Sequence, residues 1–193
     1  DVFKDSANLK RFFYFSTAYA CGKTSKLVNE EWLEKPADFR NYYEESKWRS
    51  ENLIMEYHKL YEINYVVFRP GIIAGSDISN LEELEHNTIY KYGHIIYRAF
   101  NLQNGYESKI RLVGNKLSTL NIIPIDHVIK LIMGIRSSNK NNMIFNLTNE
   151  KNCTCNSVVE GVKESLNFEE GYIFNENLDF TSLSDAERLA YQF

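Results

Sequence analysis

Residues 42–60 run for nineteen positions without a glycine or a proline and are rich in Glu, Lys, Leu and Met. This is the best helix former in the chain. Two aromatic and β-branched runs flank it, "LKRFFYFS" (9–16) and "NYVVFRPGIIAG" (64–75), and both read as strands. The first is expected to be buried from Phe12 to Ser16. The second ends at Pro70, after which glycines 71 and 75 bracket a short apolar run. Strand, helix and strand at this spacing form half of a parallel α/β sheet.

One stripe of the central helix runs Tyr43, Lys47, Ser50, Ile54, Tyr57, Tyr61, with Glu44, Glu45, Glu51 and Glu56 off it. The stripe places a phenol and an ammonium one turn apart. Tyr-x-x-x-Lys alone says little: it occurs twice, close to chance for a chain with 13 tyrosines. The other pair, Tyr19 and Lys23, has Gly22 inside it after a strand end, where continuous helix is disfavoured. Thr17 stands at the C-terminal end of the first strand, where ligands sit in open α/β sheets. A hydroxyl there and a phenol on the next helix can both grip one substrate oxygen. The Lys47 charge would favour the phenolate form of Tyr43.

The rest of the chain is less regular. Residues 23–41 read as a long surface loop with a short helix at most, and 77–90 as an acidic loop. Helices are expected at 89–102 and 154–166, and short strands at "KIRLVG" and "NMIFNLTN". "TLNIIPIDHVIKLIMGIRSS" reads as strand, turn at Pro124, and a helix that Asp126 could cap. "SDAE" (184–187) is a capping box for a last helix. Residues 1–75 are therefore expected to form sheet and cofactor-side structure. Residues 76–193 are expected to form mainly a smaller substrate-binding lobe, with strands near 119–148 returning to the sheet.

Net charge is −4, so no nucleic-acid partner is expected. No apolar run approaches a membrane span, and the start resembles no signal peptide. Three cysteines, Cys21, Cys153 and Cys155, argue for reduced thiols and a cytoplasmic setting. No metal site is expected at "NCTCN", nor from the scattered histidines 58, 86, 94 and 127.

"FYFSTAYACG", "NYYEESKWRSENL", "VVFRPGIIAG" and "LNIIPIDHV", in this order, resemble the extended short-chain dehydrogenase/reductases. The likeness is strongest to their thioester reductase and fatty acyl-CoA reductase branch, and it weakens after Val128. The resemblance implies the C-terminal part of a Rossmann-type doubly wound parallel sheet with a smaller substrate-binding lobe. It implies an NAD(P)-dependent oxidoreductase that uses NADP, with NAD as the other option, on a small-molecule or carrier-bound acyl group. By position, Thr17 matches the catalytic Ser/Thr, Tyr43 the proton-transferring tyrosine and Lys47 the assisting lysine, which also holds the cofactor's ribose. Pro70, Gly71, Ile72 and Ile73 match the stretch that passes the nicotinamide. Asn121, Pro124 and Asp126 match a segment leading back toward the substrate lobe.

Two features depart from the family pattern. The glycine-rich turn that cradles the pyrophosphate is not in this sequence, so the chain is expected to be part of a longer enzyme and inactive alone, with one side of its sheet unpaired and further domains possible upstream. Nucleotide-sugar epimerases of this family commonly carry an Asn three residues after the strand-end Arg; here Ile72 follows Arg69 at that position. An aliphatic side chain cannot replace the amide, which favours carbonyl or thioester reduction over the alternative of a nucleotide-sugar epimerase or dehydratase. A non-catalytic dinucleotide-binding sensor is the third reading.

Simpler roles stand beside these. Thr17 could satisfy its own backbone, with Ser16 as a rival for its part. Cys21 is a small buried residue or a nucleophile. The tyrosines at 90, 92 and 97 are core residues or the wall of an acyl tunnel.

Overall fold

A computed structural model of the chain describes residues 9–36, 38–75, 88–102, 110–167 and 171–191. In chain order the elements are β1 (Phe12–Phe15), a 3-10 turn (Ala18–Cys21), α1 (Tyr42–Tyr61), β2 (Tyr65–Pro70), β3 (Ile72–Ala74) and α2 (Thr88–Leu102). Then follow β4 (Ile110–Val113), β5 (Thr119–Leu120), β6 (Ile122–Pro124), α3 (Ile125–Ser137), β7 (Met143–Leu147) and β8 (Cys153–Thr154). The last elements are α4 (Cys155–Leu166), β9 (Tyr172–Asn175), a 3-10 turn (Phe180–Ser182) and α5 (Asp185–Tyr191). Contacts divide the chain into two compact units, residues 1–76 with 122–150, and residues 77–121 with 151–193. Most of the acidic stretch expected as a loop lies outside the described residues; its last positions, from Thr88, are already helix.

The first unit is built on a parallel sheet ordered β1-β2-β7. Register runs from Phe12 opposite Tyr65 to Phe15 opposite Phe68, and from Val66 opposite Met143 to Pro70 opposite Leu147. β2 is buried at every residue, as an apolar central strand covered on both faces should be. On one face Val66, Phe68, Ile123, Val128 and Leu147 pack with Leu131, Ile132 and Ile135 of α3. On the other, Tyr65, Val67 and Ile144 pack with Tyr14, Trp32 and Ile54 of α1. A helix on each face makes the arrangement doubly wound. β3 and β6 form a separate parallel pair, Ile72 opposite Ile122.

Three sequence expectations are corrected here. β1 is half-buried rather than buried, and Phe15 is 51% exposed, because among the described residues β1 has a strand neighbour on one side only. Asp126 is not the cap of α3. Pro124 holds that position without a side-chain bond, and Asp126 lies in the first turn, where its charge meets the positive end of the helix. On α1, the expected stripe leaves Tyr43 and Tyr61 about half-exposed, while Glu44 and Glu51 off it are buried.

The described residues of 23–41 contain no helix or strand, yet they are pinned to the sheet. Asn146 of β7 donates its side-chain N–H to the Val28 carbonyl at 2.9 Å and its backbone N–H to Glu30 Oε1 at 2.7 Å. The Trp48 indole donates to the Leu33 carbonyl at 3.2 Å. The strap stays at the surface, with most of its described residues exposed, and touches the core through the half-buried Trp32, which packs on Tyr65.

In the second unit, β4 pairs in parallel with β9, and β5 pairs antiparallel with β8. Ile95, Ile96, Ile110, Leu112 and Val159 form its core, with Tyr92 packed against them. Tyr92 is partly buried there, and burial pushes its phenol up, whereas Tyr97 is half-exposed. The capping box forms: Ser184 Oγ accepts the Glu187 N–H at 3.2 Å, and Glu187 Oε2 accepts the Ser184 N–H at 2.8 Å.

Glu187 also takes a bidentate grip from Arg111, at 2.9 and 2.6 Å. That grip first, and the Ser184 and Arg111 backbone N–H groups after it, hold the Glu187 carboxyl down at about 2. A depressed folded-state value means stability that is present above the ordinary value of 4.5 and lost as pH falls from there toward 2. Thermal unfolding between pH 5 and 3 should show Glu187→Gln flattening this part of the acid destabilisation. An unchanged slope would place the acid sensitivity elsewhere.

Candidate active site

α1 begins where it does because Asn41 caps it. The Asn41 backbone is extended, and its Oδ1 accepts the Glu44 N–H at 3.0 Å. The Glu44 carboxylate answers by accepting the Arg40 backbone N–H at 3.0 Å and the Arg40 guanidinium at 3.1 Å. The guanidinium also reaches the Gly22 carbonyl at 3.1 Å. The helix start is thereby fastened to the turn that follows Thr17. The spacing of Asn41 and Glu44, a cap with an acid three residues on, is the sequence signal for this closure.

Thr17 is 6% exposed. Its Oγ1 accepts the Tyr19 N–H at 3.3 Å and so caps the 3-10 turn. A hydroxyl that accepts one bond keeps its proton to donate, so the backbone role and the substrate role are compatible in one group. The neighbouring Ser16 hydroxyl is buried and has no hydrogen-bond partner among the described residues. Such groups are uncommon in native interiors.

Lys47 is the link between helix and strand. Its Nζ donates to the Phe15 carbonyl at 3.0 Å, two residues before Thr17. The same ammonium lies 5.3 Å from the Tyr14 ring centre and 5.7 Å from the Tyr43 ring centre. The Tyr43 ring is 55% exposed, and its phenol oxygen forms no hydrogen bond among the described residues. One ammonium thus joins α1, the end of β1 and the face of Tyr43.

The second Tyr-x-x-x-Lys pair has different company. Tyr19 lies in the 3-10 turn under the Arg40 guanidinium, 5.9 Å away. Lys23 is committed to Asp38 at 2.6 Å. Cys21 is half-buried with its Sγ toward the Ala18 carbonyl at 3.1 Å. Burial pushes its thiol up, which makes it a poor nucleophile. No group of three side chains suited to a metal ion occurs among the described residues.

The stretch from Pro70 to Ile73 is locked by its neighbours. The Gly71 N–H donates to the Leu147 carbonyl at 3.0 Å, and Ile72 and Ile73 pair with Ile122 and Ile123. The Ile73 side chain packs against the Val66, Phe68 and Leu147 cluster. Ile73 is partly buried, and Ile73→Asp is therefore expected to destabilise the fold itself, by about 1–3 kcal/mol, from lost packing and a partly desolvated carboxylate. Urea unfolding checks this, and an unchanged midpoint would take Ile73 out of the core.

An apolar cavity of about 190 Å³ lies between the start of β1 and the second half of α1, lined by Leu9, Phe12, Leu53 and Tyr57 among others. None of Thr17, Tyr43 and Lys47 lines it. A groove of about 640 Å³ opens along the strap beside Cys21, Lys23, Trp32 and Pro36. No helix among the described residues is long and apolar enough to cross a membrane.

The fold is similar to that of the UDP-N-acetylglucosamine 4-epimerase of Methanobrevibacter ruminantium M1, solved with UDP-N-acetylmuramic acid. The two share 20% identity over 94% of this chain and 56% of that one, with a TM-score of 0.64. It is also similar to the UDP-glucuronic acid 4-epimerase of Bacillus cereus solved with NAD, at 19% identity, 89% and 51% coverage and TM-score 0.66. The RMD protein of Pseudomonas aeruginosa, solved with NADPH, gives 15% identity, 86% and 53% coverage and TM-score 0.63. At these identities the likeness shows the fold, a Rossmann-type sheet, and this chain spans about half the length of each. No curated protein matches the sequence. Residues 3–132 match the NAD-binding family described as "Male sterility protein". The chain belongs to that family, a branch of the extended short-chain dehydrogenase/reductases.

Proposed function

We propose that the full-length protein is an NADPH-dependent reductase acting on the carbonyl of an acyl thioester or of the derived aldehyde. The observation that carries this reading is the Lys47 ammonium, fastened to the Phe15 carbonyl beside the exposed Tyr43 ring. The donor set suits the nicotinamide-ribose end of a dinucleotide. Lys47 spends one N–H on Phe15 and has two left for ribose hydroxyls. Tyr43, Lys47 and the backbone of Pro70 to Ile73 are the groups that would hold that end. When bound, the dinucleotide supplies a hydride.

The chain's own residues handle the substrate oxygen and its proton. Thr17 donates its remaining O–H to the carbonyl oxygen and fixes its position. Tyr43 delivers its phenolic proton to that oxygen as negative charge grows there. Lys47 keeps a positive charge beside the phenol, which favours release of the proton. Membership of the male sterility protein family and the aliphatic Ile72 support reduction over sugar interconversion.

The test is NADPH oxidation by the full-length protein with a long-chain acyl thioester, with the matching aldehyde, and with UDP-sugars in parallel. Oxidation with either acyl substrate is the expected result. Interconversion of a UDP-sugar without net NADPH consumption would replace this reading with the epimerase one.

A further inference from the structure

Arg69 and Glu51 are the most deeply buried charged pair among the described residues, at 0% and 1% exposed. The guanidinium meets the carboxylate with both ends of its fork, Nε to Oε1 at 3.0 Å and Nη2 to Oε2 at 2.6 Å. Its other donors reach the strap, to the Glu31 carbonyl at 2.9 Å and the Asn29 carbonyl at 3.4 Å. A single side chain at the end of β2 therefore holds a helix and a strap.

Stability is a weak reason for such a pair. Desolvating two charges costs about as much as their attraction returns, and apolar replacements of similar volume are often as stable. What the fork does supply is geometry, because a bidentate guanidinium–carboxylate pair forms in one plane and one orientation. Glu51 lies one turn after Lys47 and two turns after Tyr43 on α1. Locking Glu51 to β2 fixes the rotation and axial position of the helix on the sheet.

We infer that Arg69 and Glu51 are positioning residues that set the register of α1, so that Lys47 meets the Phe15 carbonyl and Tyr43 stands at the end of β1. This rests on the reductase reading for its functional consequence. Side chains stand roughly 5 Å from a helix axis, so a rotation of about 20° moves the Lys47 ammonium by about 2 Å. That is enough to break a 3.0 Å contact. A misplacement of about 1 Å at reacting groups can cost about 10²-fold in rate.

Arg69→Lys is the first variant. It keeps a charge for Glu51 but loses the fork and its reach to Asn29 and Glu31. The double variant Arg69→Met with Glu51→Met removes both charges and keeps apolar volume. Two readouts are taken on full-length protein: kcat and KM for the acyl substrate, and the rate of Lys47 acetylation by a small reagent, measured by mass spectrometry against Lys59 on the same helix. In folded variants kcat is expected to fall by about 10²-fold with KM nearly unchanged. The Lys47 labelling rate should rise several-fold relative to Lys59.

If a folded variant keeps wild-type kcat and wild-type Lys47 labelling, the inference is overturned. Failure of Arg69→Lys to fold also overturns it, because the pair would then serve the fold and not the placement of the helix. A wild-type protein inactive on acyl thioesters and aldehydes would sink the reductase reading alone. The labelling comparison still tests the pair in that case.

Discussion

Tyr43→Phe is expected to cut carbonyl reduction by the full-length protein by about 10²–10⁴-fold, the usual worth of a positioned general acid. Folding should be unaffected. The ring is half-exposed, and its phenol oxygen forms no hydrogen bond among the described residues, so removing the hydroxyl breaks nothing in the fold. The Lys47 ammonium still has a ring face beside it in the variant. The loss should appear in kcat more than in KM, because the phenol is proposed to act on charge that develops only in the transition state. Tyr19→Phe is the control. Tyr19 sits under Arg40 next to a lysine that is committed to Asp38, and its loss should cost little. Equal losses in the two variants would separate the chemistry from α1.

Gly22→Ala should be the most damaging small substitution in the fold around this site. Gly22 has φ 65° and ψ −155°, a conformation almost confined to glycine that costs other residues about 1–3 kcal/mol. A methyl group there would also overlap the Asp38 carbonyl oxygen and stand 2.8 Å from Pro36 Cβ. That backbone is in turn tied by Lys23 N–H to the Asp38 carbonyl at 2.9 Å. Strain and overpacking together are expected to cost about 3–5 kcal/mol, a large share of a typical domain's stability. The urea midpoint should drop accordingly. Because Arg40 holds both Gly22 and Glu44, the helix start should loosen as well, with faster amide exchange at Glu44 and Glu45. A variant with wild-type stability would mean the turn can re-form without its glycine.

The contrast between what the sequence announces and what the fold contains is clearest along α1. Its length was legible from the absence of breakers between 42 and 60, and β2 from the aromatic and β-branched run Tyr65 to Phe68. The burial of Glu44 and Glu51 was not, because a helical wheel assigns carboxylates to solvent. What brings them inside is two arginines. Arg40 lies four residues from Glu44, but Arg69 is eighteen residues from Glu51 on another element. A pattern read along one helix cannot see that partner. The strap at 23–41 is the surface loop its polar sequence announces, but its fastening to the sheet was not legible: most of those contacts are backbone carbonyls taken by Arg69, Asn146 and Trp48, and a carbonyl leaves no mark in a sequence. In the candidate site, helical spacing alone put Tyr43 and Lys47 on one face. The Phe15 carbonyl that receives Lys47 and the unpartnered Ser16 hydroxyl needed the fold.

The most direct measurement follows deuterium from NADPH labelled at the nicotinamide C4 position into product. The reductase reading predicts the label on the former carbonyl carbon of the aldehyde or alcohol made from an acyl thioester, with one NADP formed for each deuterium transferred. The same label should fail to transfer in Tyr43→Phe at any comparable rate. The contradicting result is the absence of label in any acyl product of the wild-type protein, with a UDP-sugar interconverted and the dinucleotide regenerated.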